Sequence, residues 1–444
     1  MEKKIIVAGL GHGGIAAAAQ LSKAGFDVTV YEMKSEGTLG YDWTDIFAPD
    51  ALAYAGIPMP SPDKFEYKEN MTFFGPSEHI GYCQHVPQDK LEIKLERRDI
   101  YEHLINHAVS CGVKIVYDCK VLSPLVIGSR VIGIKTEKGD FYADLVIDAC
   151  GMNSPVRSNL PSAFGIEKGP LRHEKITIFR AFYNKASDAE VEAKFKVCLL
   201  KDGITGVSWV ASEDDYTDLL IGRFADFDID EVNRFADILR KTNPRLGTEI
   251  VRGGQFVEIP TRQPLSQMVC DGYAAIGDSA FMTVPVIGSG IANSLKASRI
   301  LTETVLADTA CLFNIETLWS YQYNYFKMLG SGLAPLAAAK LLLLDLTADE
   351  VDYIFDSGMI NEDNITIGSD FTGLTKINTN LTDIITKGMR VCKYPPLLRK
   401  LPSSGLRISK AIGACAVIPK RYSPDALKNW KKMYEAAFRY NRKG

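Results

Sequence analysis

The sequence predicts an α/β protein: a three-layer domain, a mostly antiparallel β-sheet inserted into it, and a helical C-terminal region. Three observations predict this. A short apolar run at the N-terminus enters a glycine-rich turn and then a helical stretch. Between residues 168 and 264 the pattern changes to closely spaced β-runs. From residue 313 to 385 the chain reads as largely apolar and helical. The corresponding boundaries are 1–165 with 265–310 for the first domain, 166–264 for the inserted sheet and 311–444 for the helical region.

The bulk properties agree. At 444 residues the chain can hold two or three domains. Its hydrophobic and charged fractions, 46% and 24%, are those of a globular protein and exclude a disordered chain. No segment approaches the ~18 apolar residues of a membrane span. Residues 5–10 are too short and glycine-broken for a signal peptide, so the expected location is cytoplasmic. The nine cysteines are dispersed without a Cys-x-x-Cys pair. That pattern predicts reduced thiols and argues against a disulfide framework or a zinc or iron–sulfur site. His103 and His107 are four apart on an expected helix, with no third ligand nearby. No nucleic-acid partner is expected.

The net charge of −3 conceals an asymmetry. Residues 387–444 carry fifteen Lys and Arg against Asp425 and Glu435, a balance of +13, which leaves −16 on the remainder. A basic tail on an acidic body predicts an anionic partner, peripheral contact with a membrane surface, or docking of the tail on its own body.

Residues 3–8 form an apolar β-run, and Gly9-Leu10-Gly11-His12-Gly13-Gly14 follows directly. Residues 15–24 are helical, residues 26–31 form a second strand, and Glu32-Met33 stands at its end. This is Gly-x-Gly-x-x-Gly at a strand-to-helix turn with an acid about twenty residues on, the Rossmann-like dinucleotide pattern. Gly9 makes the turn, Gly11 lets the backbone approach a pyrophosphate, and Gly14 lets helix and strand pack closely. The helix start faces the phosphates, and Glu32 can accept from ribose hydroxyls.

Residues 39–57 read as a polar-aromatic loop and then a helix from Asp50. Tyr41, Asp42, Trp43 and Asp45 cluster there, either contacting a cofactor ring or substrate, or serving as a buried Trp with two capping acids. Residues 71–86 read as a β-hairpin, 96–112 as a helix, and 113–117 as a strand. Residues 121–143 read as a meander and 145–147 as a strand ending at Asp148-Ala149-Cys150-Gly151. Runs at 175–183, 195–200, 206–211, 218–224 and 254–260, with a helix at 231–240, make the inserted sheet. A last strand, 273–276, ends at Gly277-Asp278. The loop Pro285-Val286-Ile287-Gly288-Ser289-Gly290 then leads into a helix from Ile291. Free N–H groups and the positive helix end there suit negative charge. Residues 361–380 read as a polar loop. Ser423-Pro424-Asp425 reads as an N-cap, Pro at N1 and a first-turn acid of a basic amphipathic helix.

Three motifs now stand in one order: Gly9-x-Gly11-x-x-Gly14 with Glu32; Asp148-x-Cys150-Gly151-x-x-Ser154-x-Val156-Arg157; and Gly277-Asp278 followed by Pro285-x-x-Gly288-x-Gly290-Ile291. The set resembles the FAD-dependent superfamily of aromatic hydroxylases, geranylgeranyl reductases, halogenases and lycopene cyclases. Arg97-x-x-Ile100-x-x-x-Leu104 matches that superfamily's arginine at the start of a cofactor-domain helix. Gly206-Val207-Ser208-Trp209-Val210 is similar to a stretch of the geranylgeranyl reductases, the best match. Cys150 stands where many hydroxylases carry Asp, and the halogenase Trp-x-Trp-x-Ile-Pro motif is absent.

The resemblance covers about residues 1–305 and implies FAD as cofactor. Gly9, Gly11, His12, Gly13, Gly14, Glu32 and Met33 would lie along its ADP half. Arg97 would lie near the phosphates or ribityl chain, and Asp278 on the ribityl or pyrophosphate side. Pro285, Gly288, Gly290 and Ile291 would lie at the flavin N1/O2 edge. The implied activity is reduction of a C=C bond in a small hydrophobic, isoprenoid-like substrate, by hydride transfer from flavin N5. NAD(P)H or ferredoxin would supply electrons. Tyr41, Asp45 and Trp209 are the candidates for substrate contact and proton donation. The alternatives are an oxygen-dependent hydroxylase and a flavin-binding protein without turnover.

Overall fold

Lys4–Ala8, with its last four side chains buried, is the first strand in the computed structural model, which describes residues 3–362 and 390–440. A parallel strand covered on both faces must be apolar along its whole length. It pairs in parallel with Asp27–Tyr31 on one side and Leu145–Asp148 on the other. The six-stranded sheet runs Val269–Cys270, Tyr273–Ala275, Leu145–Asp148, Lys4–Ala8, Asp27–Tyr31, Lys114–Val116. Its register aligns Ala8 with Tyr31 and Asp148, and Asp148 with Ala275. Four strand ends therefore open at one edge, where open parallel sheets bind ligands.

The helices His12–Lys23, Arg97–Ser110 and Ile291–Ala307 pack together as one layer, and the meander Val121–Ile127, Arg130–Thr136, Gly139–Tyr142 supplies another. The first helix begins at His12, three residues ahead of the expected start, because Gly13 and Gly14 lie within its first turn. A Cβ on Gly14 would lie 2.4 Å from Ala149 Cβ and 3.0 Å from Val7 Cγ1, so the helix sits on the sheet at glycine distance.

The second sheet has seven strands, in the order Leu246–Pro260, Lys175–Lys185, Tyr216–Arg223, Gly206–Ser212, Phe195–Leu199, Thr72–Phe74, Gly81–Cys83. The expected hairpin is its last two strands. Because Thr72–Phe74 pairs with Phe195–Leu199, this sheet draws on chain outside residues 166–264. Side chains alternate across a strand, which decides its two faces. Phe179, Ala181 and Tyr183 face the helix Ile229–Arg240 through Val232, Phe235 and Leu239. Ile176, Ile178 and Leu220 cluster with Val207, Trp209, Phe224 and Ile259 on the other face.

A third sheet corrects the expected loop at 39–49: Thr44–Phe47 is a strand, paired with Ile93–Glu96. Four residues are too few for a visible period, and Asp45 interrupts them.

In the C-terminal region Ile315–Tyr325, a π-turn at Phe326–Gly330, and Ser331–Leu343 run on without a break. This corrects the expectation that no segment approaches a membrane span. The run Ile315–Leu343 is long and apolar enough by length and composition, although 56% of its most apolar window is buried in the protein. Phe326 meets the rings of Trp430 and Tyr434 on the last helix, Pro424–Glu435. That helix buries Leu427, Trp430 and Tyr434 against the body. Ser423 occupies its cap position, but its side chain makes no capping bond. The helix Pro395–Ala416 before it packs on Ser331–Leu343. The expected polar loop at 361–380 lies outside the described residues from residue 363 onward.

Candidate active site

The glycine turn leaves the first strand at Gly9, whose φ of +83° favours glycine and whose Cβ would meet Ala149 O at 2.8 Å. Beside it, the Glu32 carboxylate accepts from the Leu10 amide (2.8 Å) and the Lys34 amide (2.9 Å). Both bonds fix its orientation at the strand end. Met33 follows, exposed at the rim.

His12 stacks on Tyr101 with ring centroids 4.6 Å apart, and its Nε2 is buried without a partner among the described residues. Burial, with the Arg97 charge adding to it, pushes the imidazolium down to about 3. His12 is therefore neutral in the fold and cationic in the unfolded chain below 6.5. The unfolded state then binds the extra proton, so stability is lost as pH falls from 6.5 toward 3, by up to about 1.4 kcal/mol per unit. His12→Gln is expected to flatten that slope, measured by urea unfolding between pH 4 and 7 at roughly unit steps.

Arg97 Nη1 contacts both oxygens of Asp45, at 3.2 and 3.0 Å, and its guanidinium lies 4.9 Å from the Tyr41 ring centroid. Its Nε is buried without a partner among the described residues. Tyr41 and Asp45 thus position Arg97. Both Asp45 oxygens are thus engaged by Arg97.

The third motif supplies the opposite wall. Asp278 accepts from Thr283 Oγ1 at 2.5 Å, and burial pushes its carboxyl above the usual range. The loop after it closes on itself: Val284 N–H donates to Ser289 O (2.8 Å) and Gly288 N–H to Val284 O (2.9 Å). Gly288 therefore has no amide to offer a ligand, a correction to its expected role. Gly290 and Ile291, at the start of Ile291–Ala307, have amides without a backbone acceptor among the described residues. Pro285 is also corrected. It is buried at the start of this turn and does not line the cavity.

The middle motif proves to be a brace. Asp148 accepts from Ser154 Oγ (2.6 Å), Tyr273 OH (2.9 Å), Ser279 Oγ (3.0 Å) and the Cys150 amide (3.1 Å). Buried Arg157 donates to the carbonyls of Ser279 and Met152. Together they tie two strand ends into one rim.

Between the rim and the Ile176–Ile178 face of the second sheet lies a cavity of about 1000 Å³, large even among ligand pockets. Gly9, Gly11, His12, Gly13, Gly14, Glu32, Met33, Tyr41, Asp45, Arg97, Trp209, Asp278, Gly288, Gly290 and Ile291 all line it. So do five cations that the sequence reading passed over, Lys34, Lys68, Lys120, Arg180 and Lys340, of which Arg180 and Lys340 are buried. Arg180 holds Asp218 by two bonds (Nε 2.9 Å, Nη2 2.5 Å) and lies 5.8 and 5.4 Å from the Trp43 and Trp209 rings. Both indole N–H groups are buried without a partner among the described residues. A signal was present: period-2 reading of residues 175–185 puts Arg180 on the same face as Ile176 and Ile178. The other buried cation is Lys340, on Ser331–Leu343.

Comparison with known proteins extends this geometry. No family model matches the chain. A digeranylgeranylglycerophospholipid reductase of Sulfolobus acidocaldarius is 23% identical over 96% of this chain and 95% of its own. The reductase of the same name from Haloferax volcanii is 25% identical over 68% and 75%. The chain is thus similar, over most of its length, to proteins named as geranylgeranyl-type reductases. Those named relatives make it an enzyme of the oxidoreductase class. Solved structures share the fold: a geranylgeranyl bacteriochlorophyll reductase-like protein of Thermoplasma acidophilum superposes with TM-score 0.71 at 18% identity, covering 91% of this chain and 99% of its own. A probable FAD-dependent monooxygenase of Pseudomonas aeruginosa reaches 0.59 at 16% identity, covering 80% and 100%.

Proposed function

We propose that the protein is an FAD-dependent reductase that saturates C=C bonds of a long apolar, isoprenoid-type substrate. The observation that carries the reading is one continuous cavity, joining the glycine turn and the Gly290–Ile291 helix start to an apolar sheet face. The residues present fit FAD. Glu32 stands oriented at the strand end, His12 Nε2 and the Arg97 Nε–H donor are buried without a partner among the described residues, and a Cβ on cavity-lining Gly151 would meet only open space. Gly9–Gly14, Glu32 and Met33 would hold the ADP half, Arg97 and Asp278 the middle, and Gly290 and Ile291 the anionic ring edge. Bound there, FAD would supply the hydride. The chain's own part is to hold Arg97 in place through Asp45, to keep the amides aimed, and to exclude water with Trp43, Trp209, Ile178 and Leu220. NAD(P)H or a ferredoxin-type carrier would deliver electrons. The names of the similar reductases support reduction over hydroxylation. A flavin absorption spectrum of the purified protein tests the cofactor; a colourless protein that takes up no added FAD overturns it.

The same reading places the protein at a membrane surface, where such substrates reside. Pro395–Ala416 exposes Leu398, Leu406 and Ile412, and Val417 follows. Residues 387–424 include no acid and nine Lys or Arg. An apolar stripe set among cations suits an anionic bilayer. The protein is expected to co-sediment with phosphatidylglycerol vesicles but not with phosphatidylcholine vesicles, and Leu406→Asp with Ile412→Asp to abolish this.

A further inference from the structure

We propose that Lys340 anchors an anionic group, a phosphate ester or carboxylate, carried at one end of the apolar chain in the cavity. This rests on the reading of the cavity as the substrate pocket. Lys340 lines that cavity together with Leu336 and Leu343 of the same helix, and is only 2% exposed. Its Nζ donates to His173 O at 2.7 Å and lies 5.3 Å from the Phe224 ring centroid. Among the described residues no carboxylate forms a salt bridge with it. The acid nearest in effect, Glu174, is already taken up: its Oε2 accepts from Arg262 Nη1 (3.1 Å) and the Leu171 amide (2.8 Å).

An ammonium has three donors. Here one meets a neutral carbonyl, and the remaining two have no acceptor among the described residues. Burial pushes Lys340 down to about 8, with Glu174 opposing and Arg262 adding to the shift. The group is still mostly cationic at neutral pH, in a wall of leucines and a phenylalanine. A buried charge without a counter-charge is costly, and an anionic ligand would remove that cost. Arg180 offers no such opportunity, because Asp218 neutralises it.

The position of Lys340 sets the direction of the ligand. His173 precedes the strand Lys175–Lys185, whose cavity face carries Ile176 and Ile178 before Arg180. From Lys175 to Arg180 the strand covers about 17 Å. Ile176 pairs in register with Ile259, and a Cβ on Gly288 would touch Ile259 at 3.6 Å. A chain held at Lys340 therefore runs along an apolar strip past the glycine loop toward Trp43 and Trp209.

Isothermal titration of the flavin-loaded protein with decyl phosphate, decanoate and decanol, all below micellar concentration, tests this. The wild type should bind at least one anion about tenfold to hundredfold more tightly than decanol. Which anion it favours distinguishes phosphate from carboxylate. Lys340→Met should lose that preference while keeping decanol affinity, and Lys340→Arg should retain it. Equal binding of anion and alcohol by the wild type, or a preference that survives Lys340→Met, overturns the proposal. So does loss of flavin from Lys340→Met, which would place the lysine at the cofactor. Failure of the wild type to bind any of the three ligands counts against the substrate pocket itself, and with it the anchor.

Discussion

Arg180→Ala is expected to lower the unfolding free energy by about 3–5 kcal/mol, read from urea denaturation. Arg180 and Asp218 are 5% and 4% exposed, and they meet diagonally between neighbouring strands in the two-bond geometry that suits guanidinium and carboxylate. Removing the arginine leaves a buried carboxylate without its counter-charge, and that residual charge causes most of the loss. The arginine also donates to the Thr44 carbonyl and hydroxyl, tying the second sheet to the strand beside Trp43 and Asp45. Its loss therefore reaches Arg97 through Asp45. Arg180→Lys should recover only part, because a point charge cannot make the fork. Arg180→Met combined with Asp218→Leu should be closer to wild type than Arg180→Ala, since no charge is left unpaired. A loss below about 1 kcal/mol in Arg180→Ala would show that water reaches Asp218 and that the pair is not a structural element.

Asp278→Ala is expected to weaken FAD retention about tenfold to hundredfold, the worth of a hydrogen bond to a charged group. Asp278 lies on the cavity rim beside the brace formed by Asp148, Ser154 and Ser279, so its position is fixed before a ligand arrives. Among the described residues it has one hydrogen-bonded side-chain partner, Thr283 Oγ1, and its carboxyl is raised by burial. A carboxylate in that state is stabilised by further donors, which hydroxyl groups of a ligand would provide. The substitution should leave the apo-protein no less stable at neutral pH, because the raised carboxyl is a charge the fold holds at a cost above the usual carboxylate range. Equilibrium dialysis against FAD, with thermal unfolding of the apo-protein alongside, separates the two effects. Unchanged FAD affinity would remove Asp278 from the site.

The glycine turn was legible because its chemistry is steric. Gly9 and Gly14 are needed where a Cβ would strike Ala149, and that need shows in the residue types themselves. The second sheet was legible from its β-runs, and Gly290 and Ile291 from the helix that starts there. What escaped depends on partners distant in sequence. Gly288 loses its amide to Val284 within the loop, a bond that no residue type announces. Asp45 reads as a free acid until Arg97 is brought to it from fifty-two positions away. Lys340 sits in a leucine-rich helical run, where a lysine ordinarily extends to water. Only its contacts with His173 and Phe224, far away in sequence, show that here it does not.

The central claim is tested most directly by a single anaerobic turnover. The FAD-loaded protein is reduced with dithionite under nitrogen and mixed with a geranylgeranyl phospholipid, and flavin absorbance is followed together with the mass of the lipid. The account predicts reoxidation of the flavin without oxygen, with a gain of two hydrogens in the lipid for each flavin reoxidised. Flavin that stays reduced until air is admitted, and then yields an oxygenated product, would contradict it.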